Sequence, residues 1–289
     1  MPARPTHAFR LLRGVLAALA LTSALSGCRL GARKAAVLDS RLRPVATKAE
    51  FPDLKGDPAG DVAVALAELG VLEVAQGAFL PDAATNRADF ITWLVRANDI
   101  FFRDQPAKQI RLASLDELPA FADVQPSLAC FPYVQGMVNA GYVVGQGLPE
   151  LSYDHNLTRE WFIVLRNGID LGKRTVLADP ADYNVLRVQL RSFLKDADLV
   201  SDECLAAVLA DVTGGKTIKL AFGGTDRLEP KRAATRREAI LALSELGGRT
   251  YQQALKIEPK MVPLSPEEKS ALEQKAAPHE EEHGDERDH

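Results

Sequence analysis

The chain is poor in the residues that most enzymatic and metal chemistry needs. Its 289 residues include three Cys, two Trp and five His. Of the histidines, His155 alone lies between residues 51 and 250. A disulfide scaffold, a paired-Cys metal site and a Ser/His/Asp order are therefore all missing. A strong charge of either sign is missing too. The formal net charge is -4, which gives no electrostatic footprint for nucleic acid. No apolar run is long enough to cross a bilayer as a helix, the best being Val15–Leu21. What remains is 46% hydrophobic residues, enough for a sizeable core.

The charge that exists sits at the two ends. Residues 1–27 hold Arg4, Arg10 and Arg13 and no acid, while from Pro263 onward there are nine acidic and three basic residues. Arg10 and Arg13 followed by Val15–Leu21 read as a signal peptide spanning 1–27, outside the fold. It runs into Leu25-Ser26-Gly27-Cys28, which resembles the bacterial lipobox. That resemblance implies acylation of Cys28, with attachment to a lipid bilayer through its acyl chains. Arg29, not being Asp, then favours the outer membrane over the inner in a cell with two. Residues 28–50 are the expected lipid-anchored spacer, and 251–289 an extension ending in a solvated acidic tail.

Between these ends the sequence repeats itself. Phe51-Pro52-Asp53 returns as Phe121-Ala122-Asp123 and, with one residue more, as Phe193-Leu194-Lys195-Asp196. In step with it, Asn86-Arg87-Ala88-Asp89 returns as Thr158-Arg159-Glu160-Trp161 and Thr235-Arg236-Arg237-Glu238. The three Arg are 72 and 77 residues apart. Helical spacing links the two signals in Val62/Leu66/Leu69, Val134/Val138/Gly141 and Leu205/Leu209/Val212. It resumes after each Arg, in Phe90/Leu94/Ala97/Phe101, Phe162/Leu165/Ile169 and Ala239/Leu243/Leu246. The turn Gly77-Ala78-Phe79-Leu80-Pro81-Asp82 separates the first pair, and Leu228-Glu229-Pro230 is its remnant in the third. The pattern predicts a mainly α fold of three helix–loop–helix units, 51–120, 121–192 and 193–250. Each apolar stripe is too small to be stable alone.

The order Phe-x-Asp, helix, Gly-x-Phe-x-Pro turn, Thr-Arg-Glu, helix resembles the S-layer-homology family over about residues 51 to 249. The resemblance implies a pseudo-threefold helical body that binds peptidoglycan or a secondary cell-wall polymer. It implies no enzyme activity, no cofactor, no metal and no nucleic-acid partner. The sequence departs from the family by lacking the Trp often found shortly after Phe-x-Asp, and by Asn86 in place of Thr.

Asn86, Thr158 and Thr235 are expected helix caps, with Glu238 completing a capping box. Capping does not account for the Arg that follows each one. A cation at the first helical position opposes the helix dipole. Beside free N-terminal N–H groups, however, a guanidinium makes a forked anion site. Arg87, Arg159 and Arg236 are thus the expected ligand contacts for an anionic wall glycan, with Trp161 as a stacking platform. Salt bridges to the carboxylates of the preceding repeat are the bland alternative.

Three further motifs carry less. His279-Glu280-Glu281-Glu282-His283 matches a zinc-protease pattern, but it stands in the acidic tail without an apolar face. Gly215-Lys216-Thr217 matches a relaxed phosphate loop but follows a helical pattern, not a strand. Cys130 and Cys204 fall at matching places in two repeats, to be either paired or buried free thiols. The expected function is a cell-wall tether, the alternative a scaffold lipoprotein that holds another protein.

Overall fold

A computed structural model describes residues 49–73, 77–142, 150–171 and 180–257. All of them lie in one compact unit, Pro44–Leu264. Cys28, the signal peptide, most of the spacer and the His279–His283 tail lie outside the described residues. The fold is mainly α. In chain order the helices are α1 (Gly60–Glu68), α2 (Arg87–Phe101), α3 (Phe131–Asn139), α4 (Arg159–Asp170), α5 (Tyr183–Leu190), α6 (Leu205–Gly214), α7 (Thr217–Phe222), α8 (Arg236–Ala242) and α9 (Tyr251–Lys256). A two-stranded hairpin, β1 (Glu245–Leu246) and β2 (Arg249–Thr250), precedes α9. No helix among the described residues is long and apolar enough to cross a membrane.

Helices α1 and α3 form and stop in the same way. Each buries one stripe, Val62 and Leu66 in α1, Phe131 and Val134 in α3. Each ends at a glycine with left-handed φ, Gly70 (+79°) and Gly141 (+78°). The residue after the glycine donates back into the last turn, Val71 N to Leu66 O at 2.8 Å and Tyr142 N to Met137 O at 3.0 Å. Gly141 therefore belongs to the helix stop, not to the stripe in which its spacing places it.

The aspartates of the Phe-x-Asp signal each hold a distant turn. Asp53 accepts from Phe79 N (2.9 Å) and Leu80 N (2.7 Å). Asp123 accepts from Leu151 N (2.8 Å) and Tyr153 N (3.3 Å). Asp196 accepts from Leu228 N (3.0 Å) and Glu229 N (2.7 Å). One residue in each turn has left-handed φ, Leu80 at 58°, Ser152 at 53° and Glu229 at 53°. A side chain there costs free energy, which the paired carboxylate bonds offset. The third signal needs no extra residue. Leu194, 2% exposed, takes the place of Phe51 and Phe121, while Phe193 is 46% exposed. The same i→i+3 bond follows each, from Leu54, Val124 and Ala197 to Phe51, Phe121 and Leu194.

After the turns, three short extended segments meet. Bridges join Ala84 to Thr235, Asn86 to Asn156, and Thr158 to Ala233. At their centre the backbone bonds close a ring: Thr85 N to Ala234 O (2.9 Å), Ala234 N to Leu157 O (2.8 Å) and Leu157 N to Thr85 O (2.9 Å). All three residues are buried. Next to the ring, Phe90 and Phe162 stack with centroids 4.3 Å apart.

The third stretch departs from the expected helix–loop–helix. α5 precedes it and α7 is inserted after α6, each short and joined to a second, smaller core around Leu190, Leu205 and Val208. The buried face of α6 runs through Leu205 and Val208, with Leu209 and Val212 only partly covered. Leu246 lies in β1 and not in a helix, because α8 ends at Ala242. The hairpin turns at Gly247 and Gly248, both with positive φ, as a two-residue connection of this kind requires. The body also extends past residue 250: in α9, Ala254 is buried and its carbonyl accepts from Arg103 Nη2 at 2.8 Å. Cys130 and Cys204 are both free thiols.

Candidate functional site

The ring sets three helix starts against three turns. The first two N–H groups of α2, Arg87 and Ala88, donate to His155 O (3.1 Å) and Tyr153 O (2.9 Å). Those of α4, Arg159 and Glu160, donate to Arg232 O (2.9 Å) and Pro230 O (3.2 Å). Those of α8, Arg236 and Arg237, donate to Ala83 O and Pro81 O, both at 2.9 Å. This corrects one expectation, since these N–H groups are occupied by the neighbouring turn and are not free to bind an anion.

The caps hold at two starts and fail at one. Asn86 accepts from Asp89 N at 2.7 Å and donates to the Asp89 carboxylate. Thr235 and Glu238 form the reciprocal capping box. Thr158 has the extended backbone of a cap, but its hydroxyl makes no capping bond and is buried without a partner. The acid that would complete a box stands one place early as Glu160. It accepts instead from Ser201 N and Oγ, both at 2.9 Å, and pairs with Lys231 at 2.6 Å.

The three Arg share a position and differ in their surroundings. In each the Nε is buried with no hydrogen-bond partner. Arg159 is 6% exposed and tightly held. It donates to Leu228 O at 3.0 Å, pairs with Glu229 at 3.1 Å and with Glu238, and lies 4.4 Å from the Phe222 ring centroid. Both carboxylates belong to the stretch that follows Arg159 in the chain, not to the preceding one. Arg87 is half-buried, and one Nη donates to Leu151 O. The third residue of the next helix, Glu238 opposite Arg159, is Trp161 in α4, so that start offers no carboxylate. Trp161 is partly buried and packs against both cores. The Arg236 side chain is half-buried, and its Nε has no hydrogen-bond partner. Its guanidinium lies 4.8 Å from the Phe79 centroid and 5.2 Å from that of Trp93. Burial lowers the Arg236 pKa from its ordinary value, with Asp89 and Asp53 opposing that shift. Burial lowers that of Arg87 likewise, against Asp123.

The residue after each Arg differs in sign. Arg237 pairs with Asp57 and Asp82. Glu160, its counterpart, pairs with Lys231, the counterpart of Asp82. Ala88 stands at the remaining place. The contact between α8 and the first turn thus has the reverse charge order of that between α4 and the third turn.

Sequence reasoning missed a buried polar hub. Arg166, 0% exposed, donates to Ala242 O (3.0 Å), Thr217 Oγ1 (2.9 Å) and Glu245 O (2.6 Å) and pairs with Asp170. Asp211 accepts from Thr217 N (3.0 Å) and Ile218 N (2.8 Å). That carboxylate occupies the place where a phosphate loop would hold its anion, and α7 has six residues, so Gly215-Lys216-Thr217 is a helix cap. No cluster of three metal-ligating side chains exists among the described residues. An open apolar groove runs between α5 and α6, lined by Leu186, Phe193, Ala206 and Leu209. Against protein-family models and against curated proteins the chain finds no match.

Proposed function

We propose that this chain is a non-catalytic lipoprotein of the cell envelope, built on three S-layer-homology-like units in a pseudo-threefold arrangement. It attaches to peptidoglycan or a wall-linked anionic glycan, and the acylated Cys28 ties it to a membrane. One observation carries the reading. The same linked set recurs three times: an Asp holding a turn, a left-handed residue in that turn, and an Arg whose N–H docks on the next turn. That recurrence supports the family resemblance, which in turn implies the wall ligand. Arg87 and Arg236 are half-buried with no paired carboxylate among the described residues, whereas Arg159 is already paired with Glu229 and Glu238.

The test is co-sedimentation of the mature protein, kept soluble with detergent, with purified sacculi before and after removal of wall-linked polymer. Pelleting lost with the polymer identifies the polymer as ligand, and pelleting retained identifies peptidoglycan. No pelleting in either case refutes wall attachment. The scaffold alternative has one observation in its favour, the uncharged groove between α5 and α6 with Val185, Val188 and Phe193 exposed beside it. A protein partner lost on Val188→Asp, together with absent pelleting, would favour it.

A further inference from the structure

We propose that the folded body makes a second membrane contact, laying an uncharged face of α5 and α6 on the lipid surface that holds Cys28. This rests on the lipid-anchor part of the proposed function and adds to it a face, an orientation and a lipid chemistry.

Of the side chains on α5, Leu190 alone is buried. Val185 and Val188, one turn apart on the same side, are 57% and 60% exposed, and Phe193 just past the helix is 46% exposed. Leu186 and Phe193 form one wall of the groove, Leu209 and Ala210 of α6 the other, and every residue lining it is uncharged. The cations near this face are already tied back. Arg187 donates to Ala197 O (2.9 Å) and Val200 O (3.0 Å) and pairs with Asp202. Arg191 pairs with Asp198 at 2.8 Å, and Lys195 pairs with Asp226. The face is therefore apolar at its centre and electrically balanced at its edges.

Area and chain length point to lipid as the occupant. A stable protein interface buries roughly 800 Å² on each partner. Three half-exposed side chains beside an open groove fall short of what a second copy or a docked protein would need. A bilayer demands no matching shape, because apolar side chains enter the acyl boundary one by one. The chain ahead of the body sets the distance. Residues 29–48, 20 in number, separate Cys28 from Ala49 and extend to roughly 70 Å at most. A body of about 200 residues has a radius of gyration of roughly 16 Å, so a tether of that length lets any face reach the bilayer. Held that close, lipid is present at high effective concentration, and a weak apolar contact suffices. Surface chemistry then selects the face, and one with no charge to desolvate is favoured.

The experiment reconstitutes the mature acylated protein in phosphatidylcholine vesicles whose acyl chains carry bromine, a short-range quencher of indole fluorescence. A tryptophan is placed by Val188→Trp or, as control, by Leu118→Trp, the latter 89% exposed next to Glu117, which bonds α3. Wild type, with Trp93 and Trp161, gives the background. The expected result is quenching above background for Val188→Trp and none for Leu118→Trp. Adding Val185→Asp should bring the Val188→Trp signal down to that of Leu118→Trp. Replacing part of the lipid by phosphatidylglycerol should change nothing, since the cations around the face are already paired. Far-UV circular dichroism confirms that each variant folds. Background quenching at 188, equal quenching at 118, quenching that survives Val185→Asp, or a need for anionic lipid overturns the contact. Mass spectrometry reads the lipid on Cys28 separately. An unmodified Cys28 sinks the anchor reading; the same chain is then held on chelating vesicles by an N-terminal hexahistidine tag, and quenching at 188 still decides the face.

Discussion

Replacing Arg159 by Met keeps most of the side-chain volume and removes the guanidinium from a place where it is 6% exposed. Three polar interactions go, and with them the attraction of the Phe222 ring, about 1 kcal/mol. The bond to Leu228 O is charge-assisted and contributes about 1.5–3 kcal/mol. The pair with Glu238 is buried, and removing one member of such a pair costs about 3–5 kcal/mol. The pair with Glu229 contributes little, since that carboxylate is mostly in solvent. Glu238 is not left entirely without partners, because Thr235 N still donates to it. The parts therefore do not add in full, and a net loss of about 3 kcal/mol follows. For a body of this size that lowers Tm by roughly 6–12 °C. Arg236→Met removes no side-chain hydrogen bond among the described residues, but it removes the attraction of two rings and of the nearby Asp89 and Asp53, about 1 kcal/mol. The measurement is urea unfolding of both variants by far-UV circular dichroism, analysed with a common m value. Adding Glu238→Gln to Arg159→Met should recover part of the loss, because no charge is then left unpaired. If Arg159→Met costs less than about 1 kcal/mol, or Arg236→Met costs as much as Arg159→Met, the paired state of Arg159 does not stabilise the fold as argued.

Asp196→Asn should cost about 3 kcal/mol in urea unfolding, as two charge-assisted bonds to Leu228 N and Glu229 N weaken together; a loss under 1 kcal/mol would mean the third turn holds itself. At Gly136 an added Cβ would stand 2.6 Å from Arg111 O, a backbone atom that cannot swing away, so Gly136→Ala should destabilise by about 1–3 kcal/mol. An unchanged melting curve would refute that crowding. The backbone N–H groups of Phe79 and Leu80 hold the Asp53 carboxyl below its ordinary value. Its contribution is full above the unfolded pKa of about 3.9 and is lost as pH falls through the lower folded-state value. Asp53→Asn should remove that part of the acid slope, and parallel pH–stability curves for variant and wild type would contradict it. Burial raises both thiol pKa values, and that of Cys204 goes beyond the range where a thiolate forms near neutral pH. Native protein should leave Cys204 unlabelled by iodoacetamide while urea-unfolded protein labels it, and equal rates in both states would refute its burial.

Much of the architecture was legible because the recurring residues do one job each. Asp53, Asp123 and Asp196 recur since each turn needs a carboxylate, and the Arg-bearing helix starts recur since each docks on a turn. Phe193 misled because aromatic identity was matched in place of distance to the Asp, and a buried Leu194 fills the position as well. α5 and α7 were missed because they are short and bury little, Leu190 alone in α5 and Thr217, Ile218 and Ala221 in α7. Arg166 gave no signal at all, for a buried arginine looks like a surface one until the carbonyls of Ala242 and Glu245 are placed around it. The unequal states of the three Arg were half-written in the sequence. Trp161 stands where Glu238 and Asp89 stand in the other two, although Thr158 reads as a cap and does not act as one.

The ring through Thr85, Leu157 and Ala234 has no first or last member. An open solenoid frays from its ends and gains stability with each added unit, but a closed ring cannot lose one member and keep the other two contacts. Cooperativity between the three parts is thus imposed by connectivity and does not depend on any one strong interaction. It also imposes an order in time. The bond from Arg237 N to Pro81 O spans most of the folded chain, so a polypeptide emerging from its N-terminus cannot close until its last third is free.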